Sequence, residues 1–217
     1  MKDYGVPSHK VLVLPRFSSF DNIPDRSAVL APKQKNVCRL LLVGVDWMRK
    51  GCDIAVEAVK ALNAQEVPAT LTICGCTPPE GYVTGDHVEL VGYLNKNEET
   101  QRTRLEQLFL SASFFLLPTR AECMGNVFVE AAAFGLPSIA TDTGGVPSVV
   151  INGETGFLLK PEATGKQYAS VISSIWKDDK KYAHLRSGAR NFFESLNAER
   201  WGSAVLERLN GLRSLSR

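Results

Sequence analysis

Phe114 to Gly145 reads FFLLPTRAECMGNVFVEAAAFGLPSIATDTGG. Its first four residues form an apolar run without polar alternation, as expected of a strand buried on both faces. A polar turn around Cys123-Met124-Gly125 follows, and then a helix. Ser138-Ile139-Ala140-Thr141 forms a second short strand that leads out to Gly144-Gly145. Two carboxylates punctuate the stretch, Glu122 before the turn and Glu130 on the helix, with seven residues between them. A strand, a carboxylate, a tight turn and a helix N-terminus together suit a hydroxyl-rich, phosphorylated ligand. Exposed helix N–H groups attract anions, and carboxylates accept hydrogen bonds from hydroxyls.

The same alternation extends outward in both directions. Further strands are predicted at Lys10–Pro15, Arg39–Val43, Thr70–Cys74, Val88–Val91 and Gly156–Leu159, with the quoted strands at Ser113–Leu117 and Ser138–Thr141. Between them lie helices with apolar stripes at i, i+3, i+4 and i+7: Ala55, Ala58, Val59 and Leu62, and again Leu105, Leu108, Phe109 and Ala112. Repeated strand–helix units predict an α/β, Rossmann-like, doubly wound parallel sheet. Past the last strand the pattern is purely helical. Tyr168, Val171, Ile172, Ile175 and Trp176 share a stripe, and helices are predicted at Lys180–Phe193 and Glu199–Asn210 with a break at Asn197. Residues Phe17–Asn36 read as a surface loop, and 1–217 as a single domain.

Composition narrows the function classes. The 217 residues are 44% hydrophobic and 22% charged, typical of a globular protein, and the net charge of +2 gives no reason to expect nucleic acid as a partner. No apolar run approaches the roughly 20 residues that cross a bilayer, and no signal peptide opens the chain. Five cysteines without a framework spacing point to free thiols in a reducing cytoplasm. Cys74-Gly75-Cys76 has no second pair at zinc-ligand spacing, so no metal or other cofactor is expected.

Glu122, Gly125, Glu130, Gly135-Leu136-Pro137 and Gly144-Gly145-Val146-Pro147 stand in one order over about thirty residues. That order resembles the donor-binding signature of the family 4 retaining glycosyltransferases, which have the two-domain GT-B architecture. Met124 stands where the family usually has an aromatic residue, and Ser148 where many members have a third Glu. Tyr4-Gly5-Val6-Pro7 resembles the segment where members enter their second domain. The resemblance therefore implies the nucleotide-sugar-binding half of a larger enzyme. An N-terminal acceptor-binding domain of similar size is implied as its partner, and Met1 then need not be the natural start. The full-length protein is expected in the cytoplasm, with peripheral membrane contact through that other half.

The resemblance also assigns roles. Lys50, in Arg49-Lys50-Gly51, contacts the donor phosphates and, with Glu122 beside the donor sugar, makes the catalytic pair. Many members have an arginine where this chain has Val45, and Arg49 is the candidate substitute. Glu130 accepts from the ribose hydroxyls. The backbone around Met124, Gly125, Asn126 and Val127 receives sugar oxygens and diphosphate, while Gly75 and the loop Gly92-Tyr93-Leu94 complete the nucleotide site. Each residue also has a plainer reading. The basic pair suits a solvated loop, Glu122 a local cap for nearby N–H groups, Glu130 a dipole-favoured helix residue, and Tyr93 a packed tyrosine. Gly144-Gly145 is expected to shape a turn, and Cys123 to serve in packing, with an accessible thiol as the alternative. His9, His87 and His184 have no partners in the sequence that would make them catalytic. Two other functions stay open: a stand-alone nucleotide-sugar-binding subunit of a split transferase, and a nucleotide-sugar 2-epimerase. The donor base, the sugar and the acceptor are not legible.

Overall fold

A computed structural model describes residues 23–196 continuously, together with 5, 7, 202–203, 205–207 and 209–211. After a short helix α1 (Arg26–Leu30) the chain runs β1 (Cys38–Val43), α2 (Cys52–Ala64), β2 (Ala69–Cys74), β3 (Val88–Val91), α3 (Glu99–Ser111) and β4 (Phe114–Leu117). It continues through α4 (Asn126–Ala133), β5 (Ser138–Thr141), a 3-10 turn (Val146–Ser148), β6 (Gly156–Leu159), α5 (Gly165–Trp176) and α6 (Asp179–Ser195).

The six strands form one sheet in the order β3-β2-β1-β4-β5-β6, and every pair is parallel. This is the doubly wound order expected from the apolar runs. Strands of all-buried residues, such as Phe114–Leu117 and Ser138–Thr141, need helices on both faces. Crossovers between parallel strands are right-handed as a rule. The β1-to-β2 and β4-to-β5 connections step in opposite directions, so α2 and α4 fall on opposite faces. Helix α2 packs against α5, and α4 against α6. In the core, Phe109 of α3 stacks on Phe134 at 5.3 Å, and Phe115 meets Phe128 edge-on. Each fully buried aromatic or leucine side chain contributes about 1.5–3 kcal/mol by leaving water.

Strand positions agree with the sequence reading to within one residue, apart from Lys10–Pro15, which lies outside the described residues. Asn197 also lies outside them, while the described residues within 199–210 are helical. One expectation is corrected. Phe17–Asn36 is not loop throughout, because Arg26–Leu30 forms a helical turn that buries Val29. The cause is remote in sequence. Arg186 of α6 donates to the carbonyls of Val29 and Ala31, and Arg190 donates to the Pro24 carbonyl at 3.1 Å and the Ala133 carbonyl at 2.6 Å. Guanidinium groups thus satisfy backbone oxygens that a five-residue helix leaves open. Among the described residues, no helix is long and apolar enough to cross a membrane.

Candidate functional site

In a doubly wound sheet, ligands bind beyond the carboxyl ends of the strands where the strand order reverses. Here that point lies between β1 and β4. The loop after β1 carries Arg49-Lys50, and the loop after β4 carries Glu122. A cleft of about 440 Å³ opens at this place, within the usual range for small-molecule sites.

Two ion pairs bracket the cleft. At one end the Lys50 ammonium donates to Glu122 Oε2, with side chains only 9% and 13% exposed. At the other, Lys96 Nζ lies 2.5 Å from Oε1 of Glu130, which is buried. Both carboxylates come from the Glu122–Glu130 stretch. The lysines come from the loops after β1 and β3, at the same sheet edge. Arg49 completes the first end. Its guanidinium donates to the carbonyls of Val45 at 3.2 Å and Ala121 at 3.4 Å, and lies 3.9 Å from Glu122.

Local backbone geometry produces this convergence. Gly51 sits at φ +68°, and a Cβ there would collide with the Pro118 carbonyl oxygen, so glycine lets the Lys50 loop close onto the end of β4. Arg120 then stitches the two loops. It chelates Asp53 through Nη1 at 2.8 Å and Nη2 at 2.7 Å, donates to the Met48 carbonyl at 2.6 Å, and its backbone N–H donates to the Arg49 carbonyl at 2.8 Å. Thr119 Oγ1 donates to that same carbonyl at 3.0 Å. Burial alone would raise the Asp53 carboxyl, but the hydrogen bonds and charge of Arg120 outweigh it and hold the group below its ordinary value. On the far side, Gly145 N–H donates to the Cys123 carbonyl at 2.5 Å, so Gly144-Gly145 forms a wall behind the Glu122 backbone. This agrees with the expected shaping role.

The cleft brings together most residues singled out in the sequence: Arg49, Lys50, Gly75, Tyr93, Leu94, Glu122, Gly125, Asn126, Val127 and Glu130 all line it. The first residues of α4 therefore border the same space as the carboxylates, where first-turn N–H groups favour an anion. Tyr93 is 71% exposed, which removes the reading of a packed tyrosine. Two residues fall outside. Met124 packs its side chain on the hydrophobic core instead. Gly92 precedes the lining residues of its loop, and its carbonyl receives the Cys74 thiol at 3.7 Å. Cys123 is exposed, which corrects the expectation of a packing role. Lys96 escaped the sequence reading, because Asn95-Lys96-Asn97-Glu98-Glu99 reads as a solvated polar run. The available signal was its position after a strand at the edge that also carries Lys50. Among the described residues, no group of three or more His, Cys, Asp or Glu is arranged to hold a metal.

Comparison with known proteins gives a consistent family. The family model described as "Glycosyl transferases group 1" matches residues 25–192. A D-inositol 3-phosphate glycosyltransferase of Rhodococcus jostii (strain RHA1) is 31% identical over 223 aligned positions, covering 95% of this chain and 48% of that protein. Among solved structures, WaaG, a glycosyltransferase involved in lipopolysaccharide biosynthesis, superposes with a TM-score of 0.70 at 21% identity. The match covers 89% of this chain and 54% of WaaG. Anabaena Alr3699/HepE, solved in complex with UDP-glucose, gives a TM-score of 0.66 at 20% identity and covers 87% and 54%. The chain spans about half the length of these proteins, and 36% of another curated relative.

Proposed function

The chain belongs to the glycosyl transferases group 1 family, and from that premise we propose that it is the donor-binding part of a retaining glycosyltransferase. It binds a nucleoside diphosphate sugar, and the sugar passes to an acceptor held by a further domain. The observation that carries this reading is the cleft at the β1–β4 reversal, where two cations and the Glu122–Glu130 stretch face one another.

Transfer requires a glycosidic bond to break while negative charge grows on the departing diphosphate. Interactions that strengthen with that charge accelerate the step. Lys50, Arg49 and the N–H groups at the start of α4 supply them, and this chemistry needs no metal. Arg49, whose guanidinium bonds the Val45 carbonyl, takes the place of the arginine that Val45 lacks. Glu122 orients the sugar hydroxyls, and Glu130 accepts from the ribose. In the retaining route the acceptor oxygen attacks on the face that the phosphate leaves, and a phosphate oxygen takes the acceptor proton. The new C–O bond thus replaces the old one with the same configuration.

The acceptor belongs to a partner domain. Val45 and Tyr93, 51% and 71% exposed, line the cleft. Any contact with a membrane surface is assigned to that domain as well. Calorimetric titration of the chain with uridine, guanosine and adenosine diphosphates, without added metal, tests the reading. One of them is expected to bind, with Lys50→Ala and Glu130→Ala each weakening it by about ten-fold or more, the loss expected for a hydrogen bond to a charged group. A folded wild type that binds none of the three, or their sugars, refutes it.

A further inference from the structure

The Glu130 carboxylate lines the cleft with its side chain 3% exposed, beside a lysine that nothing in the sequence singled out. An ionised carboxylate so deep in a protein is costly unless a cation and hydrogen bonds accompany it. Ribose hydroxyls are neutral donors and cannot replace the ammonium. A carboxylate accepts about four hydrogen bonds, enough for one ammonium and two hydroxyls together. The lysine is also held in place before any ligand arrives. The Asn95 N–H donates to Gln101 Oε1 at 2.7 Å, the Asn97 N–H to Asn95 Oδ1 at 3.0 Å, and the Glu98 N–H to the Asn95 carbonyl at 3.1 Å. This turn fixes the Lys96 backbone at the entry to α3.

We propose that Lys96 is a positioning residue for the nucleotide: its ammonium stays on Glu130 in the complex and holds that carboxylate aimed at the ribose. The assignment rests on the nucleotide-binding reading above. It separates the two ends of the cleft, with Lys96 serving the ribose end through Glu130, and Lys50 and Arg49 serving the diphosphate end.

The experiment titrates the wild type, Lys96→Met, Lys96→Gln, Lys96→Arg, Glu130→Gln and the double variant Lys96→Met/Glu130→Gln with the tightest of the three nucleoside diphosphates and with inorganic pyrophosphate. Melting temperatures confirm folding. Lys96→Met and Lys96→Gln are expected to weaken nucleotide binding by about ten- to a hundred-fold, the range for a charged hydrogen bond. Lys96→Arg keeps most of the affinity, and pyrophosphate binding does not change. The double variant binds no more weakly than Glu130→Gln alone. Wild-type affinity in Lys96→Met overturns the proposal. So does an equal loss for pyrophosphate or in the Glu130→Gln background, since either marks Lys96 as diffuse positive charge. If the wild type binds no nucleotide, the functional reading itself falls, and that result is distinct from the others.

Discussion

Lys50 and Glu122 offer the sharpest test of how the cleft is held together. Replacing either partner leaves the other charge in a site where the two side chains are 9% and 13% exposed. Breaking a fully buried pair costs about 3–5 kcal/mol. This pair borders an open cleft, so about 2–4 kcal/mol is expected for Lys50→Met or Glu122→Gln. In a chain of this size each kcal/mol lowers the melting temperature by about 2–4 °C, so each variant should lose about 4–16 °C. Glu122→Gln leaves the Lys50 ammonium stranded, whereas Arg49, 3.9 Å from Glu122, keeps Asp46 at 3.5 Å as its counter-charge. The double variant Lys50→Met/Glu122→Gln strands no charge and should cost clearly less than the sum. Urea denaturation followed by tryptophan fluorescence reads this directly, since Trp47 and Trp176 are buried. A double variant whose cost equals the sum within about 0.5 kcal/mol refutes the reasoning, because independent sites add in that way.

Other expectations follow from single features. Gly51→Ala places a Cβ against Pro118 at φ +68° and should cost about 1–3 kcal/mol in backbone strain alone, read by the same denaturation; a neutral result would mean the two loops do not abut. Asp53→Asn should destabilise the protein at neutral pH. Arg120 holds the Asp53 carboxyl below its ordinary 3.8, so the stability it lends is full above that value and fades as pH falls below it. The gap between wild type and variant should therefore close in acid, and a gap that persists there argues against the pairing. Lys33 works in the opposite range. Burial, with Arg186 and Arg39 nearby, pushes its ammonium down to about 7 from 10.5. Between those values the unfolded chain binds the extra proton, so stability should rise with pH across that interval. Lys33→Met should flatten the rise, and a variant with the wild-type slope would exclude Lys33 as its source.

The sheet was legible because its strands are short apolar runs separated by striped helices, and β3, β5 and β6 fall on their expected residues. Such a pattern reports burial on both faces, which local sequence carries. Helix α1 was not legible, since Arg186, from the other end of the domain, satisfies the carbonyl of Val29, and Arg190 that of Pro24 just before the helix. Within the site, Lys50, Glu122 and Glu130 stood out because a motif orders them. Lys96 did not, because a lysine among asparagines and glutamates looks solvated until the fold turns it inward. Met124 was singled out for its backbone N–H; that its side chain packs on the core is a matter of the fold that its place in the turn does not reveal. Arg120 and Asp53 carry no local signal for their pairing across 67 positions.

The seam between β1 and β4 is short. Only Leu40↔Phe114 and Leu41↔Phe115 pair across it, against six positions between β1 and β2. The seam divides the sheet into two panels, and the cleft lies over it. Lys50 belongs to one panel, Glu122 and Glu130 to the other. A diphosphate gripped from both sides would act as a rivet, and its effect would be local before it is global. Amide exchange should slow first along β1 and β4, while the outer strand β3 keeps its own pace.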